Sequence, residues 1–151
     1  MIKILCKAKI YRNEWVEGFY WNNGLGEHDI RIIEKEPFYR VEDAKINPDT
    51  LCMYTGIDGD NGEKIFDNTI IEFDDIGEDN YGYHEGFDYI NRAVVRINDG
   101  FVTLEDFCVS DNSGVAEAVY NNNSDEIKCI LQTCKVIGNI FDDSKLLTEV
   151  E

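Results

Sequence analysis

The sequence is poor in the features that announce most kinds of chemistry. It holds two prolines and two histidines in 151 residues. Neither His28 nor His84 has a neighbouring Ser or Cys to mark a nucleophile–base pair, and there is no G-x-S-x-G. Nothing in this inventory points to nucleophilic catalysis, and the chain reads as a non-enzyme that needs no cofactor. The five cysteines, Cys6, Cys52, Cys108, Cys129 and Cys134, form no C-x-x-C. The closest pair leaves four residues between its members, which matches no zinc site. No run approaches the ~20 apolar residues of a membrane-crossing helix. Lysines interrupt the opening "MIKILCKAKIY" where a signal peptide would be apolar. The expectation is a cytoplasmic protein whose reduced thiols serve mostly as small core groups.

Lys and Arg are scarce as well, and unevenly so. Residues 1–45 carry eight basic and eight acidic side chains, whereas residues 46–151 carry six basic and twenty-three acidic. The whole net charge of −17 falls in that second stretch. A nucleic-acid binder must neutralise phosphates, and an anionic membrane repels an acidic surface. Neither is expected as a direct partner.

What is present is a core. The hydrophobic share is 43%, with eight Phe, eight Tyr and two Trp, enough for one packed domain over residues 1–151. Ile2, Ile4, Cys6, Ala8 and Ile10 alternate with Lys3, Lys7 and Lys9, which predicts a half-buried strand with its lysines outward. "RNE" turns it into a second, aromatic strand, "WVEGFYW", and "IRIIEK" reads as a third that Pro37 ends. "RVEDAKINPDT" is polar, and Pro48 pushes Asn47 towards an extended conformation. In "AVVRINDGFVTLEDF" a two-residue Asp99-Gly100 turn sets Ile97 against Val102, Val95 against Leu104 and Arg96 against Thr103, which keeps one face apolar. "SGVAEAVY" suggests a short helix, "DEIKCILQTCKVIGNIF" one or two β-branched strands, and "DDSKLLTEVE" a short capped helix carrying Leu146 and Leu147. The sum is five to eight short strands, with Tyr54, Ile57, Phe66, Ile71, Val95, Ile97, Val102, Leu104 and Ile137 expected to be mostly buried.

Glycine and aspartate crowd one stretch, "YTGIDGDNGEKIFDNTIIEF" at 54–73. A calcium loop starting at Asp58 would need an oxygen ligand where Gly62 stands, glycine where Glu63 stands and an acid where Thr69 stands. A phosphate cradle would lead into a helix, but β-branched "TIIEF" follows. The stretch reads instead as a tight turn at Asn61-Gly62, with Ile57 and Phe66 packing on either side.

The same stretch, "MYTGIDGDNGEKIFDNTIIEF", resembles the core motif of the YopX-like family of phage and prophage proteins. "WVEGFYW" is similar to that family's early W-V-x-G-aromatic strand, and "CKVIGNIFDDSKLL" to its closing V-I-G-N-I and short helix. The matching positions are Tyr54, Thr55, Gly56, Asn61, Gly62, Ile70, Ile71, Gly138 and Asn139. Asp67-Asn68-Thr69 stands where the family has E-G-D, and Asp143-Ser144 replaces its Asn-Pro. The resemblance implies a mainly β fold, a small SH3-like barrel of short antiparallel strands with one or two short helices. It also implies frequent self-association and a place in the cytoplasm of a bacterial host. It brings no catalytic residues.

Residues 74–92 form a longer and more acidic insertion than that pattern has. From Glu72 to Asp88 there are seven acids and no Lys or Arg. Tyr81, Tyr83, His84, Glu85, Phe87 and Asp88 are the candidate binding residues. Aromatics give contact area at low entropy cost, and the acids steer a basic partner. The competing reading has the same aromatics fold back over the core. One imidazole among carboxylates argues against a metal centre, although a metal-dependent hydrolase would have to draw its ligands from here. The function expected is a protein-binding module that also forms a homo-oligomer through its charge-balanced end, around Trp15, Phe19, Tyr20 and Trp21. The alternative is an acidic mimic of DNA that occupies a nucleic-acid-binding protein.

Overall fold

A computed structural model describes residues 4–74, 90–108 and 124–148. The chain divides into two compact units, Met1–Tyr54 and Thr55–Glu151. Its strands are β1 (Leu5–Lys9), β2 (Trp15–Asn22), β3 (His28–Glu34), β4 (Arg40–Lys45), β5 (Cys52–Asp58), β6 (Lys64–Phe66), β7 (Thr69–Asp74), β8 (Ile90–Asn98), β9 (Phe101–Cys108) and β10 (Lys135–Asn139). One α-helix, α1 (Ser124–Thr133), and 3-10 turns at Pro48–Thr50 and Ser144–Leu147 complete the described elements. The strands lie in two antiparallel sheets, ordered β4-β3-β2-β1-β5-β6 and β10-β7-β8-β9. The mainly β expectation holds. No closed barrel forms among the described residues, and their ten strands exceed the five to eight expected.

In the first unit, β1 pairs with β2 from Leu5↔Phe19 to Lys9↔Trp15, the hairpin expected from the sequence. Asn13 takes a φ of 65° in its turn, a left-handed conformation that Asn tolerates better than most residues. Cys6, Ala8, Ile30 and Ile46 form the core here, with Val16, Tyr20 and Ile32 packed around them. Gly18 sits where a Cβ would strike the Arg31 carbonyl, so β2 and β3 approach closely only because that side chain is missing. Lys9 corrects the outward-lysine expectation. It is only 8% exposed; its Nζ lies 5.4 Å from the Trp15 ring centre and donates to Asn13 Oδ1 at 2.9 Å. Asn47 is extended as expected (φ −82°, ψ 110°), and its side chain accepts from Asp49 N to start the 3-10 turn.

In the second unit, the Asp99-Gly100 hairpin has the expected register: Ile97↔Val102, Arg96↔Thr103 and Val95↔Leu104. Both turn residues have positive φ, 51° and 84°, as a type I′ turn requires. The core gathers Ile65, Ile71, Phe73, Val95 and Leu104 from the strands with Ile127, Ile130 and Leu131 from α1. That helix corrects the strand reading of residues 125–133. Ile127, Ile130, Leu131 and Cys134 recur at helical spacing and are buried, and Asp125 and Glu126 complement the dipole in the first turn. The period outweighed the β propensity of two isoleucines. Burial pushes the Cys134 thiol up to about 11, so it stays a protonated core group. Of the expected core, Phe66, Ile71, Val95 and Leu104 are buried, while Tyr54, Ile57, Ile97, Val102 and Ile137 are half-buried. The 3-10 turn at 144–147 has no side-chain cap; Asp143 turns back to accept from Asn139 N instead. It is held to β8 by Arg92, which donates to Leu146 O at 2.8 Å and pairs with Glu72 at 3.3 Å. The short helix expected at 113–120 falls outside the described residues.

Among the described residues, one breaks the pattern of a satisfied interior. Asn91 is fully buried opposite Phe73, and neither side-chain polar atom has a hydrogen-bond partner. A buried amide without partners destabilises by about 1–3 kcal/mol. Asn91→Val is therefore expected to raise the denaturation midpoint, by about 1–2 kcal/mol in free energy. A loss of stability in urea unfolding would instead reveal a bound water or another partner for that amide.

Candidate interaction surface

The glycine- and aspartate-rich stretch is a turn, in a three-residue rather than a two-residue form. Gly59 N donates to Glu63 O at 2.7 Å, Gly62 N donates to Gly59 O at 3.0 Å, and Gly62 has a φ of 82°. These mark a type I turn closed by a left-handed glycine, which joins β5 to β6. Asn61 Oδ1 accepts from Glu63 N at 3.0 Å and so supports the turn from within. Upstream, Thr55 Oγ1 donates to Ile65 O at 2.7 Å and accepts from Ile57 N at 3.2 Å, while Gly56 takes a φ of 82°. Thr55 thereby fastens the bend in β5 to β6. Among the described residues no three His, Cys, Asp or Glu side chains gather as metal ligands do.

The next turn, Asp67-Asn68, connects β6 to β7. Asn68, which stands at the place of the glycine in the E-G-D pattern, has a φ of 68°, a left-handed conformation that Gly and Asn tolerate best. Its N–H donates to Val95 O at 2.7 Å, its carbonyl accepts from Ile140 N at 3.1 Å, and its side-chain oxygen accepts from Arg96. Arg96 also pairs with Asp106 at 3.3 Å. Asp67 Oδ1 accepts from Ile97 N at 3.2 Å. Burial pushes the Asp67 carboxyl above its ordinary value, and the Ile97 N–H and the Arg96 charge only partly offset this.

Asn139 organises the turn after β10. Its Oδ1 accepts from Phe141 N at 2.9 Å and from Asp142 N at 3.0 Å, and its Nδ2 donates to Asp142. Gly138 lies against the Asp143 carboxylate, which a Cβ would strike. Ile70 and Ile71 are fully buried. Thr55, Gly56, Asn61, Gly62, Gly138 and Asn139 thus build turns and bends, and Ile70 and Ile71 are core. The side chains of Thr55, Asn61 and Asn139 hold the backbone.

The candidate binding residues Tyr81, Tyr83, His84, Glu85, Phe87 and Asp88 lie outside the described residues. Their anchors are described. Strands β7 and β8 pair from Ile70↔Val94 to Asp74↔Ile90, so the acidic stretch connects two adjacent antiparallel strands. Positions 74 and 90–92 of the expected insertion belong to those strands.

The aromatic group of the charge-balanced end is mixed, with Trp21 38% exposed. Trp15, Phe19 and Tyr20 are half-buried. The Tyr20 hydroxyl meets His28 Nδ1 at 2.6 Å, and Lys7 lies 4.9 Å from the Trp15 ring centre. Arg31 sits over the Trp21 ring and makes a two-pronged pair with Asp43 at 2.9 and 3.0 Å, which holds the Asp43 carboxyl below the usual carboxylate range. More exposed apolar side chains cluster elsewhere in this unit. Phe38 is 79% exposed, Tyr39 72% and Val41 45%. Val41 belongs to β4, and Phe38 and Tyr39 lead into it. β4 is the last strand of its sheet, with β3 on one side and no strand on the other among the described residues. Sequence reasoning passed over this strand because four of its six residues are charged. The signal was "PFYRV", two aromatics feeding a β-branched residue beside a proline.

A family model described as "YopX protein" matches residues 12–148. No curated protein and no solved structure matches the chain.

Two outcomes follow from the turns. Asn139→Ala removes a side-chain acceptor from two exposed backbone N–H groups and is expected to destabilise the Thr55–Glu151 unit by about 0.5–1.5 kcal/mol in denaturant unfolding. Asp67 has its pKa raised in the folded state, so its stabilising share is present below the unfolded value of 3.8 and is lost as pH rises through the folded one. Asp67→Asn keeps an acceptor for Ile97 N without the buried charge. Its stability relative to wild type should increase as pH rises from the acid range to neutrality; a constant or falling difference contradicts this.

Proposed function

The chain belongs to the YopX family, and from that premise we propose that it is a non-catalytic accessory protein of phage or prophage origin that works by binding another protein and also binds itself. The observation that carries this is the partition of charge. Met1–Tyr54 has eight basic and nine acidic side chains, while Thr55–Glu151 has six basic and twenty-two acidic. The compact units divide the chain close to where the charge does.

The acidic unit suits a basic protein partner, which its field would steer into contact. The stretch between β7 and β8 concentrates this chemistry, with Tyr81, Tyr83 and Phe87 for contact area and Glu85 and Asp88 for charge. The near-neutral unit suits contact between like chains. Direct binding to nucleic acid or to an anionic membrane is disfavoured by the same charge. No helix among the described residues is long and apolar enough to cross a membrane. The working place of the protein in this reading is the cytoplasm of a bacterial host. The finer SH3-like barrel of the family resemblance belongs to this proposal, and with it the binding role of a loop between barrel strands.

A second reading rests on the same partition: the acidic unit imitates DNA and occupies a nucleic-acid-binding protein. The two differ in what releases the partner. In a pull-down from bacterial lysate, a partner lost when residues 76–88 are deleted supports the loop. A partner kept by that variant but displaced by duplex DNA supports mimicry. If neither bait retains anything at low salt, where charge steering is strongest, protein binding is refuted. A thermal-shift scan with divalent ions covers the remaining hydrolase alternative at His84, Glu85 and Asp88; stabilisation by an ion at millimolar level would revive it.

A further inference from the structure

We propose that the free edge of β4 is the self-association surface, and that its occupant is β4 of a second copy, antiparallel across a two-fold axis at Val41. The inference rests on the self-binding reading above and deepens it to an edge and a register.

An unpaired strand edge is a ready template for another strand, and proteins usually blunt it with a bulge, a proline, a very short strand or charged side chains. β4 has no bulge and no proline; its guard is charge of both signs, at Arg40, Glu42, Asp43 and Lys45, which a second copy in the right register can pair. It holds six consecutive pairs with β3, from Glu34↔Arg40 to Asp29↔Lys45, without a shift. Its one proline neighbour, Pro37, lies before the strand. The largest exposed apolar groups of this unit besides Leu25 and Tyr11, namely Phe38 and Tyr39, sit at its entrance.

Symmetry then restricts the register. In an antiparallel pair made by a two-fold axis perpendicular to the sheet, one residue must face its own copy, because directly opposed residues share a face. Centring on Glu42 opposes two glutamates, and centring on Asp43 opposes two aspartates. Both put like charges in contact, and centring on Arg40 opposes two arginines. Centring on Ala44 runs the second copy onto Asn47, whose N–H already donates to Lys9 O beside the Ile10–Ile46 bridge. Centring on Val41 opposes two valines, sets each Arg40 against the other chain's Glu42, and sets Tyr39 against Asp43 and Phe38 against Ala44. Two complementary charge pairs flank an apolar centre, and Phe38 and Tyr39 gain cross-strand neighbours. The unit itself is nearly charge-balanced, so the contact brings no large like charge together.

The test is a charge swap read by sedimentation equilibrium of the full chain. Arg40→Glu and Glu42→Arg each turn both cross-axis pairs into like-charge pairs. Either is expected to weaken association by about tenfold or more. The double variant restores opposite charges in reversed order and is expected to recover association. Circular dichroism on each variant checks that the strands persist; where a single variant unfolds, Val41→Lys, which opposes two lysines at the axis, takes its place with the same expectation. If wild type associates and the singles associate equally well, or the double fails to recover, the β4 assignment is overturned while self-binding stands. A wild type that stays monomeric at about 100 μM, far above any functional dissociation constant for a stable dimer, overturns the self-binding reading itself.

Discussion

Left-handed backbone at the chain reversals sets the register of both sheets. Short strands offer little side-chain surface, so their alignment depends on the turns that join them. Asn13 reverses β1 into β2, Gly62 closes β5 onto β6, Asn68 turns β6 into β7, and Asp99-Gly100 joins β8 to β9, each at positive φ. Each of these residues is an Asn, Asp or Gly, the types that tolerate that region with least strain. At Asn68 the tolerance has a further use. A glycine would supply the backbone angle, but the asparagine also brings a side-chain oxygen to Arg96 and ties the turn to β8. The motif that looks at first like a ligand loop is therefore the scaffold's registration system.

The parts of this fold legible in sequence are those where local chemistry and global packing agree. The β8–β9 register could be read because only one alignment around Asp99-Gly100 keeps Val95, Ile97, Val102 and Leu104 on one face. The β1–β2 hairpin was legible for the same reason. Three features were not. Residues 125–133 carry β-branched side chains, and their helical spacing was outweighed by propensity until the core contacts of Ile127, Ile130 and Leu131 decided it. Lys9 is buried with its Nζ near the Trp15 ring, a partner on another strand that alternation along β1 cannot reveal. β4 has no apolar alternation to find, because an edge strand packs little more than Ala44 and presents the rest to water.

The candidate site divides in the same way. Most of the motif positions have a structural role in this geometry. Thr55 holds a bend, Gly62 and Asn139 hold turns, and Ile70 and Ile71 fill the core. The acidic aromatic residues from Tyr81 to Asp88 were legible as composition, and their anchoring strands are neighbours, which places that stretch between two paired strand ends. The β4 edge was not legible, since its meaning comes from where the sheet stops. The proposed division of labour sets an acidic unit for a partner and a near-neutral sheet edge for a second copy on this scaffold of turns.

The most direct measurement of that edge is hydrogen exchange at two protein concentrations. Paired backbone N–H groups exchange slowly, and a pair formed between chains dissolves on dilution. Peptides covering residues 38–45 should exchange slowly in concentrated protein and faster in dilute protein, while β8 and β9 keep the same protection in both. Concentration-independent exchange over residues 38–45, or a concentration effect confined to β9, would contradict the account.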